Sequence, residues 1–457
     1  MSVSEFSGKR VTVMGLGLLG GGVGVARYLA LEGARVTATD LKDEAALAES
    51  VAKLSGLPIV FHLGGHVDSD FTDADLVIVN PAVPDSSPYL AKARAAGVRL
   101  ETEINFFFKL CAAPIVGVTG SNGKSTTASL LYHLLGAGSR TPWLGGNIGR
   151  SLLDELDAIR PDNWVVLELS SFQLERLGPT GLSPSVSVVL NLSPNHLDRH
   201  PTLRAYARAK QPILTNQGQG DAALLNADCR IVSRWGRLGK GRKLYFSTAG
   251  PVERGAWVDG DRALWRDGAE SATLFRLADL RLRGPHNLGN ALAAAGAAVL
   301  CGVAPAAIGP RLADFQPLEH RLEFVRTLDG VSYYNDSKAT TPEAAIVGLR
   351  SFAEPVVLVA GGYDKHLRFG AMATEVCERA RAVVLLGATA KKLRRAIRRK
   401  GNVDLRTVPD LAAAVREARS LAQPGDAVLL SPGCASWDMF ENFEERGRLF
   451  KKLIAEL

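Results

Sequence analysis

The segment from Gly117 to Thr127 constrains the fold of this chain more than any other part of its sequence. It reads GVTGSNGKSTT, follows an apolar run that begins at Pro114, and leads into the helical pattern TASLLYHLL. A strand, a glycine turn with a lysine and hydroxyls, and a helix form a phosphate cradle, because backbone N–H groups and the helix dipole attract an anion. The strict Walker A spacing is missed, since it needs a glycine where the chain has Val118. The segment predicts a phosphate-binding loop, with an ordinary glycine-rich turn as the alternative.

Strand and helix patterns alternate along all 457 residues, which is more than one hydrophobic core usually fills. Buried-strand runs recur at Trp164 to Ser170 and Val186 to Ser193. Short alternation between Lys243 and Asp267, with turns at Asp259-Gly260 and Asp267-Gly268, indicates a small antiparallel excursion. A hairpin at Asp329-Gly330 precedes three more apolar strands, VVLVAGG, AVVLLGA and AVLLSPG. We therefore predict three α/β domains, over residues 1–111, 112–317 and 318–457.

The composition excludes several classes of protein. Hydrophobic residues make up 46% and charged residues 22%, as in ordinary soluble domains, and the net charge is only +7. The basic run from Lys391 to Lys400 lacks interleaved aromatic residues, which favours the wet face of a helix over nucleic-acid binding. The five cysteines are widely spaced without a Cys-x-x-Cys pair. We expect a cytoplasmic protein with reduced thiols, no targeting or transmembrane segment, no nucleic-acid partner and no membrane insertion.

A second glycine turn lies near the start of the chain. Gly15, Gly17 and Gly20 follow the first strand with dinucleotide-fingerprint spacing, and Asp40 ends the next strand. In this arrangement the ligand needs only a diphosphate, which binds at the helix N-terminus, and a diol, which binds to the carboxylate. A UDP-sugar also has both groups. A turn without a ligand and an NAD-linked dehydrogenase are the alternatives.

Polar clusters follow several other strands, where α/β sheets place their ligands. Glu168 ends a strand and is a candidate Mg²⁺ ligand, and His196 follows a strand end where a second metal could bind. From composition alone we expect Lys210 to be a surface lysine. We expect Asn287 and Asn290 to cap the helix that follows. The remaining clusters are NDSKATT from Asn335 and SPGCASWDMFENF from Ser431.

Taken together and in this order, the segments resemble the Mur ligases over essentially the whole chain. The shared motifs are GSNGKST, ELSSFQLE, HLDRH, HN-x-x-N, HR, NDSKAT, GG-x-x-K and SPGCAS-x-D-x-F-x-N-F. The family's phosphate loop also lacks the early glycine of Walker A. The SSFQL, HLDRH and SPGCAS clusters favour the glutamate-adding members over sibling ligases and folylpolyglutamate synthetases.

The resemblance implies an α/β protein of three domains. These are an N-terminal Rossmann-like domain for the UDP end of the substrate, a central P-loop ATPase-like parallel sheet for ATP and metals, and a Rossmann-like C-terminal domain. The implied reaction adds D-glutamate to UDP-N-acetylmuramoyl-L-alanine through an acyl phosphate, with release of ADP and phosphate, as a cytoplasmic step of peptidoglycan synthesis. The same ligation with L-glutamate or another amino acid is the alternative, and a non-catalytic nucleotide-binding module is a further one.

The resemblance also assigns roles to residues. Catalytic roles fall to Lys124, His196, Lys210 and Lys338. ATP contacts fall to Gly120, Ser121, Asn122, Gly123, Lys124, Ser125, Thr126, Asn287, Arg321 and Asp336. The UDP-linked substrate is assigned to Gly17, Leu18, Leu19, Asp40, Lys42, Asn147, Ser170 and Gln173, and glutamate to Thr340, Lys365, Ser436 and Phe443. Metal ligands are Ser125, Glu168, His196 and Lys210, the last as a carbamate that turns a cation into an anion near the metals.

The implied cofactors are ATP and two Mg²⁺ ions, with Mn²⁺ as an alternative, and the implied oligomeric state is a monomer. The chain departs from the family pattern at Asn195, at Gly21 and Gly22, and at Trp437. Trp437 stands beside the predicted glutamate site in place of a smaller apolar side chain, so it bears on amino-acid preference.

Overall fold

Three β-sheets organise the chain in the computed structural model, which describes residues 5–17, 20–148, 151–195 and 199–457. Leu18, Leu19 and His196 lie outside the described residues. The three-domain α/β architecture predicted from the sequence is confirmed, whereas the exact domain boundaries stay a prediction. No helix in the described part of the chain combines the length and the apolar character that a membrane crossing requires.

The first sheet is parallel throughout, with strand order β3-β2-β1-β4-β5. Its buried strands carry the Val- and Ile-rich runs typical of a sheet covered by crossover helices. Its elements are β1 (Arg10–Met14), α1 (Gly21–Leu31), β2 (Arg35–Asp40), α2 (Ala48–Ala52), β3 (Ile59–Leu63), α3 (Ser69–Thr72), β4 (Leu76–Val79), α4 (Pro88–Ala95), β5 (Arg99–Glu101) and α5 (Glu103–Leu110).

The second sheet has nine strands in the order β14-β13-β12-β11-β10-β9-β6-β8-β7. Its elements are β6 (Ile115–Thr119), α6 (Lys124–Leu135), β7 (Pro142–Gly146), β8 (Trp164–Glu168), α7 (Ser171–Leu177), β9 (Val186–Val189), α8 (Leu203–Lys210), α9 (Pro212–Thr215), β10 (Ala222–Asn226), α10 (Arg230–Ser233), β11 (Arg242–Ser247), β12 (Gly255–Asp259), β13 (Arg262–Arg266), β14 (Ser271–Arg276), α11 (Pro285–Leu300) and α12 (Pro305–Ala313).

The antiparallel excursion of this sheet begins one strand later than predicted. β11 pairs in parallel with β10 and β12, and the antiparallel pairs of this sheet are β12 with β13 and β13 with β14. The prediction rested on polar-apolar alternation, which an outer parallel strand shares with a hairpin strand. The turn predicted at Asp259-Gly260 does connect β12 to β13.

The third sheet has the order β15-β16-β20-β17-β18-β19 and is parallel except for the β15–β16 hairpin. That hairpin turns at Asp329 and Gly330, as predicted, and both residues have positive φ angles. Its elements are β15 (Glu323–Leu328), β16 (Val331–Asn335), α13 (Pro342–Leu349), β17 (Val356–Gly361), α14 (Gly370–Arg379), β18 (Ala380–Leu386), α15 (Ala390–Arg398), β19 (Asp404–Thr407), α16 (Leu411–Leu421), β20 (Ala427–Leu430) and α17 (Phe443–Ala455).

The chain divides into two compact units. The first comprises Met1–Asp279 with Gly289–Ala313 and holds the first two sheets, and the second comprises Leu280–Leu288 with Asp314–Leu457 and holds the third. In each sheet, the strand order reverses direction beside one strand, and open α/β sheets bind ligands at the carboxyl end of that strand. The reversals lie at β1, β6 and β17, and the glycine turns predicted to bind ligands follow these three strands.

A half-buried carboxyl group lies on the helix that follows the last strand of the first sheet. Glu103, the first residue of α5, accepts a hydrogen bond from the Ser151 hydroxyl at 2.7 Å. Ser151 packs against α1 so closely that a Cβ on Gly24 would lie 2.4 Å from the Ser151 Cβ atom. Burial raises the pKa of Glu103 to about 7. The folded protein therefore binds this proton more tightly than the unfolded chain does.

We predict that Glu103→Gln makes stability less dependent on pH. Because folding raises this pKa, the stabilisation from Glu103 is present at acidic pH and is lost as the pH rises through about 7. The free energy of unfolding of the wild type should fall relative to the variant by on the order of 2 kcal/mol between about pH 5 and pH 8. Urea unfolding across that range measures the difference. Glu49→Gln, at an exposed glutamate, is the control, and parallel profiles for wild type and Glu103→Gln would contradict the prediction.

Candidate active site

The phosphate loop connects β6 to α6 with the predicted geometry. Gly123 caps the helix in the left-handed region at φ 87°, where a Cβ atom would also lie 2.3 Å from Asn290 Oδ1. Glycine is therefore needed at this position on both conformational and steric grounds. Lys124 is the first helical residue, and its ammonium donates to the carbonyl oxygens of Gly120 and Ser121, at 3.1 Å each. The loop thus holds a lysine and a helix N-terminus at one point.

The polar segment after β9 fastens the phosphate loop. The Ser121 hydroxyl donates to the Ser193 carbonyl at 3.0 Å and accepts from the Ser193 N–H at 2.9 Å. The Asn191 side chain accepts from the Asn122 N–H at 2.9 Å and donates to the Asn122 carbonyl at 3.0 Å. These paired bonds fix the loop's shape without using its helix terminus. The polar residues that follow β9 therefore hold the neighbouring phosphate loop in place.

Glu168 lies at the carboxyl end of β8, beside the phosphate-loop strand, and is only 2% exposed. Its Oε1 atom accepts from the Asn147 amide at 3.0 Å. Its Oε2 atom is buried and accepts no hydrogen bond from the described residues. A buried carboxylate oxygen without a partner is costly, and oxygen atoms of this kind are the ligands that Mg²⁺ prefers. The Glu168 carboxylate therefore fits a divalent cation.

Lys210 is the last residue of α8 and is 1% exposed, which corrects the composition-based expectation of a surface lysine. Its ammonium donates to the Thr119 hydroxyl at 3.2 Å and lies 4.8 Å from the centroid of the Tyr206 ring. Burial, followed by the nearby charge of Lys124, holds the pKa of Lys210 well below its usual range, and Glu168 opposes this shift. The lowered pKa of Lys210 favours the neutral amine, which is a nucleophile.

Lys124, Glu168 and Lys210 are thus brought together, an arrangement that the family resemblance implied and composition did not. The structure places the other residues predicted for this site as follows. Ser125 and Thr126 occupy the first turn of α6, and Asn147 bonds Glu168. His196, the predicted ligand of a second metal ion, lies outside the described residues. Ser170 and Gln173 form a reciprocal capping box at the start of α7, a local partnership that the sequence reading missed.

The first glycine turn follows β1 as predicted. The N–H of Gly17 donates to Asp40 Oδ2 at 3.0 Å, and the other Asp40 oxygen accepts from the Lys42 N–H at 3.0 Å. Asp40 therefore fixes the turn and the segment after β2 in one arrangement. Lys42 is exposed. The predicted contacts at Leu18 and Leu19 lie outside the described residues.

In the second unit, a buried carboxyl group follows β16. Asp336 accepts from the Ser431 hydroxyl at 2.8 Å and from the Leu322 N–H at 3.2 Å. Burial raises the pKa of Asp336 to about 7, and the nearby Arg321 opposes the shift. The Arg321 Nε atom is buried and makes no hydrogen bond to the described residues. Asn287, also predicted to contact ATP, donates to the Arg283 carbonyl at 2.7 Å.

The residues predicted to receive glutamate lie on loops after β16, β17 and β20 and at the start of α17. The Lys338 ammonium lies 5.4 Å from the Phe443 ring centroid, and Thr340 is two residues further along that loop. Lys365 follows β17, and Ser436, which is 2% exposed, follows β20. The β17 and β20 loops touch at Gly362, where a Cβ atom would lie 2.3 Å from the Ala435 carbonyl oxygen.

Arg446 holds these loops together, and the sequence analysis missed it. Its guanidinium is buried and donates to the Ser337 hydroxyl at 2.9 Å and to the carbonyls of Ser337, Cys434 and Ala435. Burial lowers the pKa of Arg446 to about 10. The surrounding FEERGRLF reads as an exposed helix, and the small Gly447 beside Arg446 is the one local sign of close packing.

A phosphate loop at the reversal point of a parallel sheet, with a buried carboxylate and a buried lysine beside it, is typical of an enzyme that acts on a nucleoside triphosphate. Three family models match successive parts of the chain. They are the Mur ligase MurD-like N-terminal domain over residues 9–101, the Mur ligase middle domain over 118–298, and the Mur ligase glutamate ligase domain over 320–434.

Individual relatives agree with these models. The chain is 48% identical to the UDP-N-acetylmuramoylalanine--D-glutamate ligase of Roseiflexus sp. (strain RS-1), over 98% of this chain and 99% of that one. It is 42% identical to the enzyme of the same name from Symbiobacterium thermophilum, over 98% of each. The solved UDP-N-acetylmuramate-alanine ligase of Thermotoga maritima shares the fold, with a TM-score of 0.63 at 20% identity over 98% and 99% of the two chains. The chain belongs to the Mur ligase family, whose members are ATP-dependent ligases.

We predict that Arg446→Met lowers the free energy of unfolding by about 2–4 kcal/mol, because it leaves buried carbonyl oxygens without donors. Urea unfolding measures the loss. Arg448→Met, two residues along the same helix at an exposed position, should change stability by less than about 0.5 kcal/mol. Equal effects of the two substitutions would show that the Arg446 hydrogen bonds do not contribute to the free energy of unfolding.

Proposed function

We propose that this Mur ligase joins D-glutamate to UDP-N-acetylmuramoyl-L-alanine in peptidoglycan synthesis, with ATP converted to ADP and phosphate. The observation that carries the proposal is the cluster of Lys124, Glu168 and Lys210 at the phosphate loop. It occurs in a chain that aligns over nearly its full length with ligases of that name, at up to 48% identity. An NAD-linked dehydrogenase would explain only the first glycine turn.

The proposed reaction has two steps. An oxygen of the alanine carboxylate attacks the γ-phosphorus of ATP, the bond from that phosphorus to the bridging oxygen breaks, and ADP leaves. The amine of glutamate then attacks the acyl carbon of the acyl phosphate, loses a proton, and displaces phosphate to leave an amide. Lys124 binds the transferring phosphoryl group, where its charge offsets the negative charge that spreads over the oxygens. Lys338 is assigned a catalytic role in the same reaction.

We assign the metal site to Ser125, Glu168, His196 and Lys210. The buried Glu168 oxygen without a hydrogen-bond partner among the described residues supports this assignment. Bound Mg²⁺ would neutralise phosphate charge. Two ions, and Mn²⁺ as a substitute, complete the proposal. Lys210 joins the set as a carbamate, formed when its neutral amine nitrogen attacks the carbon of CO₂ and a proton leaves. The lowered pKa of Lys210 favours that neutral amine.

Substrate contacts complete the proposed assignment. The first glycine turn, with Asp40 and Lys42, receives the uridine diphosphate, and Asn147, Ser170 and Gln173 lie along the muramoyl part. Thr340, Lys365, Ser436 and Phe443 receive glutamate, since an ammonium and hydroxyls suit its carboxylates. ATP contacts are assigned to residues 120–126 and to Asn287, Arg321 and Asp336. We further propose that the protein is a cytoplasmic monomer.

The amino acid is the part of this proposal that needs the most direct test. ADP release is measured with UDP-N-acetylmuramoyl-L-alanine and, in turn, D-glutamate, L-glutamate, L-lysine and diaminopimelate. D-glutamate should give the highest kcat/KM. Preference for another amino acid would make the chain a sibling ligase, and ADP release that ignores both substrates would indicate a nucleotide-binding module without ligase activity.

We predict that Lys124→Ala lowers kcat by about 100- to 1,000-fold, as expected for loss of a group that stabilises transition-state charge. The Kd for the UDP-linked substrate should change by less than about threefold, because Lys124 lies at the phosphate loop of the second sheet and the first glycine turn lies on another sheet. Lys240→Ala, at an exposed lysine of the same unit, is the control. Equal losses in kcat and in affinity for the UDP-linked substrate would place Lys124 elsewhere.

We predict that Lys210→Ala abolishes ligation and that formate or acetate partly restores it, because a small carboxylate can replace the charge of a carbamate. Activity is measured as amide product with increasing concentrations of each acid. The same acids should not rescue Lys124→Ala, which controls for a general effect of salt. Full activity of Lys210→Ala without added acid would contradict the carbamate.

A further inference from the structure

Three exposed side chains meet on the loops that follow β17 and β20 in the second unit. Trp437 is 61% exposed and Tyr363 is 42% exposed, although both are large aromatic residues. Their ring centroids are 5.6 Å apart, and the rings are inclined at 55°. The Lys365 ammonium lies 4.5 Å from the centroid of the Trp437 ring. This cluster, which we call the aromatic cluster, comprises Tyr363, Lys365 and Trp437.

The backbone beneath the aromatic cluster is fixed. The Tyr363 N–H donates to the Ala435 carbonyl at 2.9 Å and forms a β-bridge between the two loops. One residue after Trp437, Asp438 accepts from the Ala388 N–H at 2.9 Å. Ser436, one residue before it, is only 2% exposed. Trp437 therefore points outward from an ordered loop, at the edge of the proposed glutamate site.

No carboxylate among the described residues lies within ion-pair distance of Lys365, so none of them neutralises its charge. The adjacent Asp364 binds Lys392 instead, with both oxygens 3.0 Å from its ammonium. An ammonium over an indole face keeps its charge and much of its hydration, and indole is the side chain that attracts a cation most strongly. The aromatic cluster thus orders a lysine and leaves its charge available for an anion.

We infer that Trp437 is a positioning residue that sets selectivity for the incoming amino acid by holding the Lys365 ammonium at one distance from the site. This inference rests on the proposed function, in which Lys365 receives a carboxylate of glutamate. A flexible lysine would follow a carboxylate on a shorter side chain, whereas a lysine held on the indole favours one side-chain length. Tyr363 supports the orientation of the indole through its ring contact.

The test is steady-state kinetics of Trp437→Leu with D-glutamate and D-aspartate, which differ by one methylene. The KM for D-glutamate should rise about threefold to tenfold, as expected for loss of a cation–π contact. The value of kcat should stay within about twofold, and the KM values for ATP and the UDP-linked substrate should not change. The ratio of kcat/KM for D-glutamate to that for D-aspartate should fall. Trp437→Phe, which keeps an aromatic face, should recover most of the ratio.

Phe324→Leu is the matched control. Phe324 is 52% exposed in the same unit and packs on Tyr334, with ring centroids 5.5 Å apart. It should leave both KM and the ratio unchanged. A wild-type enzyme that ligates D-glutamate, together with a Trp437→Leu variant of unchanged KM and ratio, would overturn this inference alone. A wild-type enzyme that does not use D-glutamate would overturn the proposed function and this inference with it.

Discussion

The burial of the Lys210 ammonium is the constraint on which the site in the second sheet depends. Lys210 is 1% exposed, and its burial together with the nearby charge of Lys124 disfavours the charged form of its amine. Glu168 offsets part of that effect, yet one of its own oxygens lacks a hydrogen bond from the described residues. The charge of Lys210 and the hydrogen bonding of Glu168 are therefore satisfied only when further ligands bind. Charged groups fixed in advance in this way are suited to the proposed transfer of a phosphoryl group.

The two units hold their loops in place by different means. In the first unit, the phosphate loop is fixed by paired hydrogen bonds to Asn191 and Ser193, so its helix terminus is left for a ligand. In the second unit, one guanidinium, that of Arg446, bonds to two loops from inside the fold. In both arrangements, hydrogen bonds to neighbouring residues fix the loops that carry the proposed ligand-binding side chains, as precise positioning requires.

Much of the fold and of the candidate site could be predicted from the sequence. Local patterns are sufficient where a turn or a strand end has a characteristic sequence. The phosphate loop, the Asp329-Gly330 hairpin and the placement of Glu168 at a strand end are of this kind. Contacts between distant residues could not be predicted. The packing of Asn290 on Gly123 and the burial of Arg446 depend on tertiary neighbours that leave no local pattern. Lys210 shows the limit clearly, since its surroundings in the sequence look like an exposed helix and only the family resemblance indicated otherwise.

Transfer of an oxygen from substrate to phosphate tests the central claim most directly. UDP-N-acetylmuramoyl-L-alanine is prepared with ¹⁸O in both oxygens of its alanine carboxylate and is converted with ATP and D-glutamate. An acyl phosphate requires one labelled oxygen to leave with each phosphate, while the amide keeps the other. Mass spectrometry of the released phosphate should therefore find one ¹⁸O for each amide formed. Unlabelled phosphate at the same yield of amide would contradict the account, because the carboxylate would not have been phosphorylated.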